Sequence, residues 1–455
     1  MAAVILPLLA VCPRTAHALQ PLKEFLESAK TYNPDNRAAH AAVAQRDAEL
    51  SVSTGVLEPG LSATGVYTHN QYQVDTSDLF NLPAAPLAAI EQTIKTANPT
   101  LFNQIETLVQ AIPNTVIQPQ NQWDANITLA VPIINVAAWD RRSAAKATLA
   151  GAKDDEANAA MAVEKGVTRD YFQLLGYEAV LQSATKNLEV AQHNVKLARD
   201  RKESGTGSEL EVQRALADEA RASQAVTGAQ LAVTNVRRDL LSMTGVAPAP
   251  ATTFPDDDLH EEAPLEGWMS GASTVPSVKS AEETRASAER ASGAAKANWW
   301  PTLSGVAEEK FTNSTAFTGG HSDVYLLQLI ANWKLDMTIM PQVRAAQAVT
   351  AAARAREDKA RQAAEDSVYR DWQQVKADID ASRSARVQVA ATKLAASLAE
   401  DRYQSGVATQ LDVLQARQDA FAADVARIQA DSDLAYARTA LRLDSGRWNG
   451  EESAR

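Results

Sequence analysis

Six histidines, at positions 17, 40, 69, 193, 260 and 321, and one cysteine, Cys12, are the side chains best suited to metal ligation or nucleophilic catalysis. None is spaced as part of a ligand set, and neither a Ser/His/Asp constellation nor a Gly-rich phosphate loop accompanies them. No cofactor, metal or catalytic site is expected, and an enzyme is disfavoured. The acidic residues offer more. Glu211 and Asp412 each follow a Ser-Gly turn, the first after Ser204-Gly205-Thr206-Gly207, the second after Ser405-Gly406-Val407-Ala408-Thr409. A carboxylate in the first turn of a helix is favoured by the helix dipole. That is what the residues alone say of these two acids.

The elements that must position them repeat within the chain. At an offset of 242, Pro34 falls on Pro276, Ala44 on Ala286, and Pro59-Gly60-Leu61-Ser62 on Pro301-Thr302-Leu303-Ser304. At an offset of 201, Arg169-Asp170-Tyr171 falls on Arg370-Asp371-Trp372, Leu210-Glu211-Val212 on Leu411-Asp412-Val413, and Gly245 on Gly446. The difference, 242 − 201 = 41, is an insertion in the first copy at about residues 70–122. Each copy reads helix, strand, strand, helical hairpin. Proline opens the first helix at Asn33-Pro34 and at Val275-Pro276, where its missing amide costs nothing. Pro59 and Pro301 end that helix and start a strand.

Trp123, Ala125, Ile127, Leu129, Val131 and Ile133 alternate with polar residues, and so do Tyr325, Leu327, Leu329, Ala331, Trp333 and Leu335. Such alternation marks strands with one apolar and one polar face, as in a membrane barrel. Strands are expected at about 60–74, 122–135, 302–311 and 324–335. Trp123, Trp299, Trp300, Tyr325 and Trp333 near their ends suit a membrane-interface girdle. After the second strand, Leu174, Leu181, Leu188 and Val195 recur every seven residues, with Tyr177, Ala184, Ala191 and Ala198 three further on. That is a coiled-coil seam. Helical hairpins are expected over 137–245 and 340–445, the first arm being a rod of ~100 Å. Within the insertion, Pro86–Lys95 and Thr100–Ile112 carry short amphipathic patterns.

Residues 1–18 read as a signal peptide, with an apolar run Val4–Cys12 and an Ala16-His17-Ala18 cleavage site. A lipid anchor on Cys12 ranks second. The first repeat is expected over 19–247, a linker over 248–264, the second repeat over 265–446 and a tail over 447–455. A net charge of −12 argues against a nucleic-acid partner. Beyond the N-terminal run, no uncharged apolar stretch of about 18 residues occurs, so any membrane passage requires a closed β-barrel.

The chain resembles the TolC-like outer-membrane efflux family. The resemblance rests on Trp300-Pro301-x-Leu303-Ser304, on Asn33-Pro34, and on Tyr403-x-x-Gly406-x-x-x-x-Leu411-Asp412-Val413-Leu414, and runs from about Leu22 to Gly446. It implies a mainly α fold with a small β part. Each protomer of a homotrimer would give four strands to a twelve-stranded transmembrane barrel, and its helical hairpins to a long α-barrel across the periplasm. It implies a conduit in the outer membrane of a Gram-negative-type bacterium, fed by a periplasmic adaptor protein and an inner-membrane pump. By this resemblance the pore constriction maps onto Asp412 and Gln415, with Glu211 as the first-copy counterpart. The adaptor-facing tips map onto Ser204, Gly205, Thr206 and Gly207, and onto Tyr403, Ser405, Gly406, Val407, Ala408 and Thr409. Gln415 is uncharged, and Ala408 stands where the family has a latching arginine, so the gate is expected to be less charged and less tightly held. The outer-membrane component of type I protein secretion is an alternative on the same fold. A periplasmic coiled-coil scaffold is a competitor of another class.

Overall fold

The computed structural model describes residues 19–76, 84–110, 115–250 and 257–447. The expected signal segment, part of the expected linker and nearly all of the tail lie outside the described residues. In chain order the elements are α1 (Leu22–Tyr32), α2 (Pro34–Gly55), β1 (Gly60–His69), β2 (Val74–Asp75), α3 (Ala84–Ala97), α4 (Pro99–Gln110), β3 (Val116–Gln118) and β4 (Asn121–Ile134). They continue with α5 (Val136–Glu203), α6 (Glu209–Thr244), α7 (Leu265–Ala272), α8 (Pro276–Ala297), β5 (Thr302–Thr312), β6 (Asp323–Asn332), α9 (Ile339–Gln404) and α10 (Gln410–Asp444). Two compact units form, one from the described parts of Met1–Asp47, Ala147–Ser287 and Thr350–Arg455, the other from Ala48–Lys146 and Ala288–Val349.

The first unit is helical and carries the repeat into its interior. One core joins Leu22, Phe25, Leu26 and Ala29 of α1 to Val167, Leu174, Val233, Val236 and Leu240. A second joins Trp268 and Ala272 of α7 to Val368, Val375, Leu434, Ala437 and Leu441. The last five of each set correspond one to one, since 368 − 167 and 441 − 240 both give 201. Leu240 and Leu441 are fully buried, and truncating either to alanine costs about 2–5 kcal/mol. The heptad seam of α5 faces inward as its period requires: Leu174, Ala184, Ala191, Val195 and Ala198 are buried. Small seam residues let the helices approach closely. At Gly176 an added Cβ would stand 3.2 Å from Ser432, whose hydroxyl donates to the Phe172 carbonyl at 2.9 Å.

The second unit is built on a four-stranded antiparallel sheet in the order β1-β4-β5-β6. Its register puts Leu61, Leu129, Ala307 and Leu327 side by side, with Ala63, Ile127, Glu309 and Tyr325 in the next row of the same face. The opposite face has Ser62, Thr128 and Glu308, then Thr64, Asn126 and Lys310. Two strands are shorter than their alternation suggests. β6 ends at Asn332 rather than 335 because its partner β5 begins at Thr302, after Pro301, which has no amide to donate. β1 ends at His69 rather than 74, opposite Asn121, where β4 begins. The insertion leaves through a two-stranded stem, β2 and β3, and forms helices α3 and α4.

Candidate functional site

The two hairpin turns are near copies in atomic detail. Gly205 and Gly406 both adopt φ 76°, the left-handed conformation that ends a helix without a Cβ penalty. In the first turn the Arg201 carbonyl accepts the amides of Thr206 and Gly207, both at 2.9 Å. In the second the Arg402 carbonyl accepts those of Val407 at 2.9 Å and Ala408 at 3.2 Å. The Ser204 hydroxyl donates to the Arg201 carbonyl at 2.9 Å and that of Ser405 to Asp401 at 2.7 Å, so both serines close their own turns. Val407 is left exposed.

The returning helices begin with matched capping boxes. Ser208 Oγ accepts the Glu211 amide while Glu211 Oε2 accepts the Ser208 amide, both at 3.3 Å. Thr409 Oγ1 accepts the Asp412 amide at 3.3 Å, and Asp412 Oδ2 accepts the Thr409 amide at 2.8 Å. Hydrogen bonding from the Thr409 backbone, then from its side chain, holds the Asp412 carboxyl below its usual range. Both nominated acids therefore cap helices. Asp412 stays exposed as a charged group, and Gln415, one turn further along, is exposed as well.

The turns also meet. The Arg201 guanidinium lies 4.8 Å from the Tyr403 ring centroid, and Gln410 Nε2 donates to the Glu211 carbonyl at 3.0 Å. Tyr403 belongs to the turn motif that the sequence displays. Arg201 carries no motif of its own and was missed.

In the sheet unit, Trp123 pairs with Tyr67 at one end of the sheet. At the other, Trp333 Nε1 donates to the Trp299 carbonyl at 3.0 Å, and Trp300 is exposed. Tyr325 and Trp333 are both exposed, eight residues apart on one line of the chain. At ~3.3 Å per residue that is about 26 Å, the height of an apolar membrane band.

Residues 25–246 and 273–447 match the outer membrane efflux protein family, in two segments that follow the two repeats. The chain belongs to that family. The outer membrane efflux protein BepC of Brucella suis biovar 1 (strain 1330) is 23% identical over 286 residues, 62% of this chain and 62% of its own length. The fold is shared with the Campylobacter jejuni CmeC outer membrane channel, at a TM-score of 0.76 and 16% identity, covering 98% of this chain and 92% of that one. It is shared with the outer membrane protein VceC of Vibrio cholerae, at 0.73 and 16%, covering 93% and 96%. It is shared also with the outer-membrane channel OprN, at 0.73 and 18%, covering 94% and 90%.

Two charged clusters of this efflux-family chain have no counterpart in the sequence reading. Arg438, 5% exposed, holds the segment that links the repeats: it donates to Glu262 Oε1 at 2.6 Å, to Asp257 Oδ1 at 3.1 Å and to the His260 carbonyl at 2.8 Å. His260, one of the six histidines without ligand spacing, belongs to this clamp. Its ring nitrogens stand 2.6 Å from Asp258 and 2.6 Å from Arg438. Asp257, Asp258 and His260 lie within reach of a common cation. Arg438 and His260 already take up these groups, so the trio reads as part of the clamp. The second cluster joins α5, α9 and α10. Asp444 accepts from Lys165 at 2.8 Å and Ser367 at 2.6 Å, beside Asp371. Burial, and then the shared hydrogen bond with Asp444, push Asp371 up to about 7.

Proposed function

We propose that this chain is one protomer of a homotrimeric outer-membrane exit duct, taking substrates from a periplasmic adaptor and an inner-membrane pump to the exterior. The observation that carries this reading is the sheet. Its order leaves β1 and β6 as free edges, and one face is predominantly apolar along all four strands, with Glu309 of β5 the charged exception in its central rows. A free edge and an exposed apolar face are costly in water. Three copies closed into a barrel remove every edge and turn the apolar face to lipid and the polar face to a lumen. Trp123, Tyr325, Trp299, Trp300 and Trp333 then sit at the lipid interfaces.

Asp412 and Gln415, with Glu211, form the constriction of this duct, and the turns Ser204–Gly207 and Tyr403–Thr409 meet the adaptor. Sequence kinship with a protein described as an outer membrane efflux protein supports the assignment. A periplasmic coiled-coil scaffold would leave the apolar sheet face without a role. The test is reconstitution of the purified full-length protein in planar bilayers. Trimers that conduct ions with a cation preference are expected. A folded trimer without conductance overturns the reading.

A further inference from the structure

Among the described residues β1 pairs only with β4 and β6 only with β5, so the sheet keeps two open edges. All ten residues of β1 and all ten of β6 are exposed, whereas those of β5 are mostly half-buried. The inner ladders show which backbone groups are left over. The Asn70 amide donates to the Gln120 carbonyl at 2.7 Å, extending the β1–β4 register. The Thr312 amide donates to the Ser322 carbonyl at 2.8 Å, extending that of β5–β6. Backbone groups alternate sides along an antiparallel strand. The even-numbered residues of β1 and β6 therefore turn theirs into the sheet. The odd-numbered ones, Leu61 to His69 and Asp323 to Ala331, turn theirs outward. These odd-numbered residues also carry the predominantly apolar face.

A seam between β1 of one copy and β6 of another must set odd residues against odd ones, to close hydrogen bonds and to keep one face apolar. Strand direction permits it, because β1, β4, β5 and β6 alternate in direction and the next β1 continues the alternation. Registers two residues apart remain, and the side chains choose among them. With Gly60 opposite Asn332, the ten residues of β1 run the full length of the ten of β6. Tyr67 then meets Tyr325, extending a row in which it already pairs with Trp123. His69 meets Asp323. Just beyond the strands, exposed Glu58 meets exposed Lys334, whose Nζ also lies 3.2 Å from Asp336. Pro59, with no amide to donate, stops the ladder where β6 ends. A slip of two residues one way sets Glu58 against Asp336, and the other way sets His69 against His321. The matched register also has a barrel's slope. Within one copy Gly60, Ala130, Val306 and Gln328 share a row. Gln328 next faces Thr64 of the following copy, a step of about four residues along β1. Three such steps around twelve strands, at ~3.3 Å per residue and ~4.8 Å between strands, give a tilt of about 35°.

We propose that β1 of each copy pairs with β6 of the next in this one register, from Gly60 opposite Asn332 to His69 opposite Asp323, with the Glu58–Lys334 and His69–Asp323 pairs closing the two ends of the seam. This rests on the trimeric-barrel reading above and names the residues through which its copies join.

The experiment uses full-length protein carrying Cys12→Ser. Thr64→Cys is combined in turn with Leu326→Cys, Gln328→Cys or Ile330→Cys, oxidised with copper phenanthroline, and resolved on non-reducing denaturing gels. Even-numbered residues form the non-hydrogen-bonded pairs of the seam, whose side chains stand closest. Native mass spectrometry reports assembly in parallel. Expected are trimers in which Thr64→Cys with Gln328→Cys links copies several-fold more than either combination two residues off. Ser62→Cys with Ile330→Cys reads the same register from a second row and should link as well. Trimers in which position 64 links better to 326 or 330, or equally to all three, overturn the register and leave the barrel standing. Trimers without linkage in any combination overturn the seam. A monomeric chain removes the barrel reading and the seam together.

Discussion

The guanidinium of Arg201 rests 4.8 Å from the ring centroid of Tyr403, at the turn-bearing ends of the two long helices α5 and α9. The contact joins a residue of one repeat to a residue of the other. Ala408, close by in the second turn, has no charge with which to add an ion pair. If the proposed duct opens by separating these two turns, this pair opposes the opening. An exposed cation–π contact contributes about 0.5–1 kcal/mol, or roughly two- to five-fold in an equilibrium. Arg201→Gln is expected to raise the open fraction by about that factor. Single-channel recording of open times checks it, and Tyr403→Phe, which keeps the ring, should leave the open fraction near the parent value.

What could be read from the sequence was local or periodic. Seven-residue spacing identified the buried face of α5, and two-residue alternation identified the sheet faces. Serine, threonine and glycine in order identified turns whose capping boxes then match at Glu211 and Asp412. What could not be read was long-range. Arg438 and Asp257 are 181 residues apart, and Lys165 and Asp444 are 279 apart, with no repeat or motif to announce either pair. Helix α1 escaped for another reason. It is separated from α2 only by Asn33, whose Oδ1 accepts the Asp35 amide at 2.8 Å, so a break one residue long hides inside a helical pattern.

Arg438 is expected to be the strongest single support of the inter-repeat segment. Its loss takes from Asp257 and Glu262 the guanidinium that donates to both. Removing one partner of a buried ion pair costs about 3–5 kcal/mol. Arg438→Ala should therefore lower thermal stability and open residues 257–264 to limited proteolysis, with Arg438→Lys intermediate. Digestion followed by mass mapping reads the outcome, and cleavage elsewhere first would argue against the clamp.

Asp371 supplies a pH dependence with a definite sign. Burial raises its folded-state value to about 7, above the unfolded carboxyl near 3.9. The unfolded chain therefore gives up this proton more readily. The corresponding stability is present at low pH and lost as pH rises toward 7. Asp444 acts in the opposite sense, since Asp371, Lys165 and Ser367 outweigh burial and hold it low. Asp371→Asn keeps a neutral group against Asp444. It is expected to raise the unfolding midpoint at pH 8, with the gain shrinking as pH falls toward 4. A gain that is equal at both pH values would show that Asp371 is not the titrating group.

The capping role of Asp412 and the proposed pore role of its charge are separated by a well-chosen substitution. The Asp412 carboxylate accepts the Thr409 amide and so completes a helix cap. Its charge, exposed one turn before Gln415, is what would set cation preference at a constriction. Alanine removes both at once and cannot tell them apart. Asparagine retains an acceptor oxygen for the Thr409 amide while discarding the charge. Asp412→Asn is thus expected to move the reversal potential in a salt gradient toward zero with little change in melting temperature. Gln415→Glu places a second carboxylate on the same helical face and should move the potential the other way. Thr409→Ala disturbs only the cap: about 1 kcal/mol of local helix stability should be lost, with the reversal potential held. If Asp412→Asn and Gln415→Glu both leave the potential unmoved in conducting channels, the constriction lies elsewhere and Asp412 is a capping acid alone.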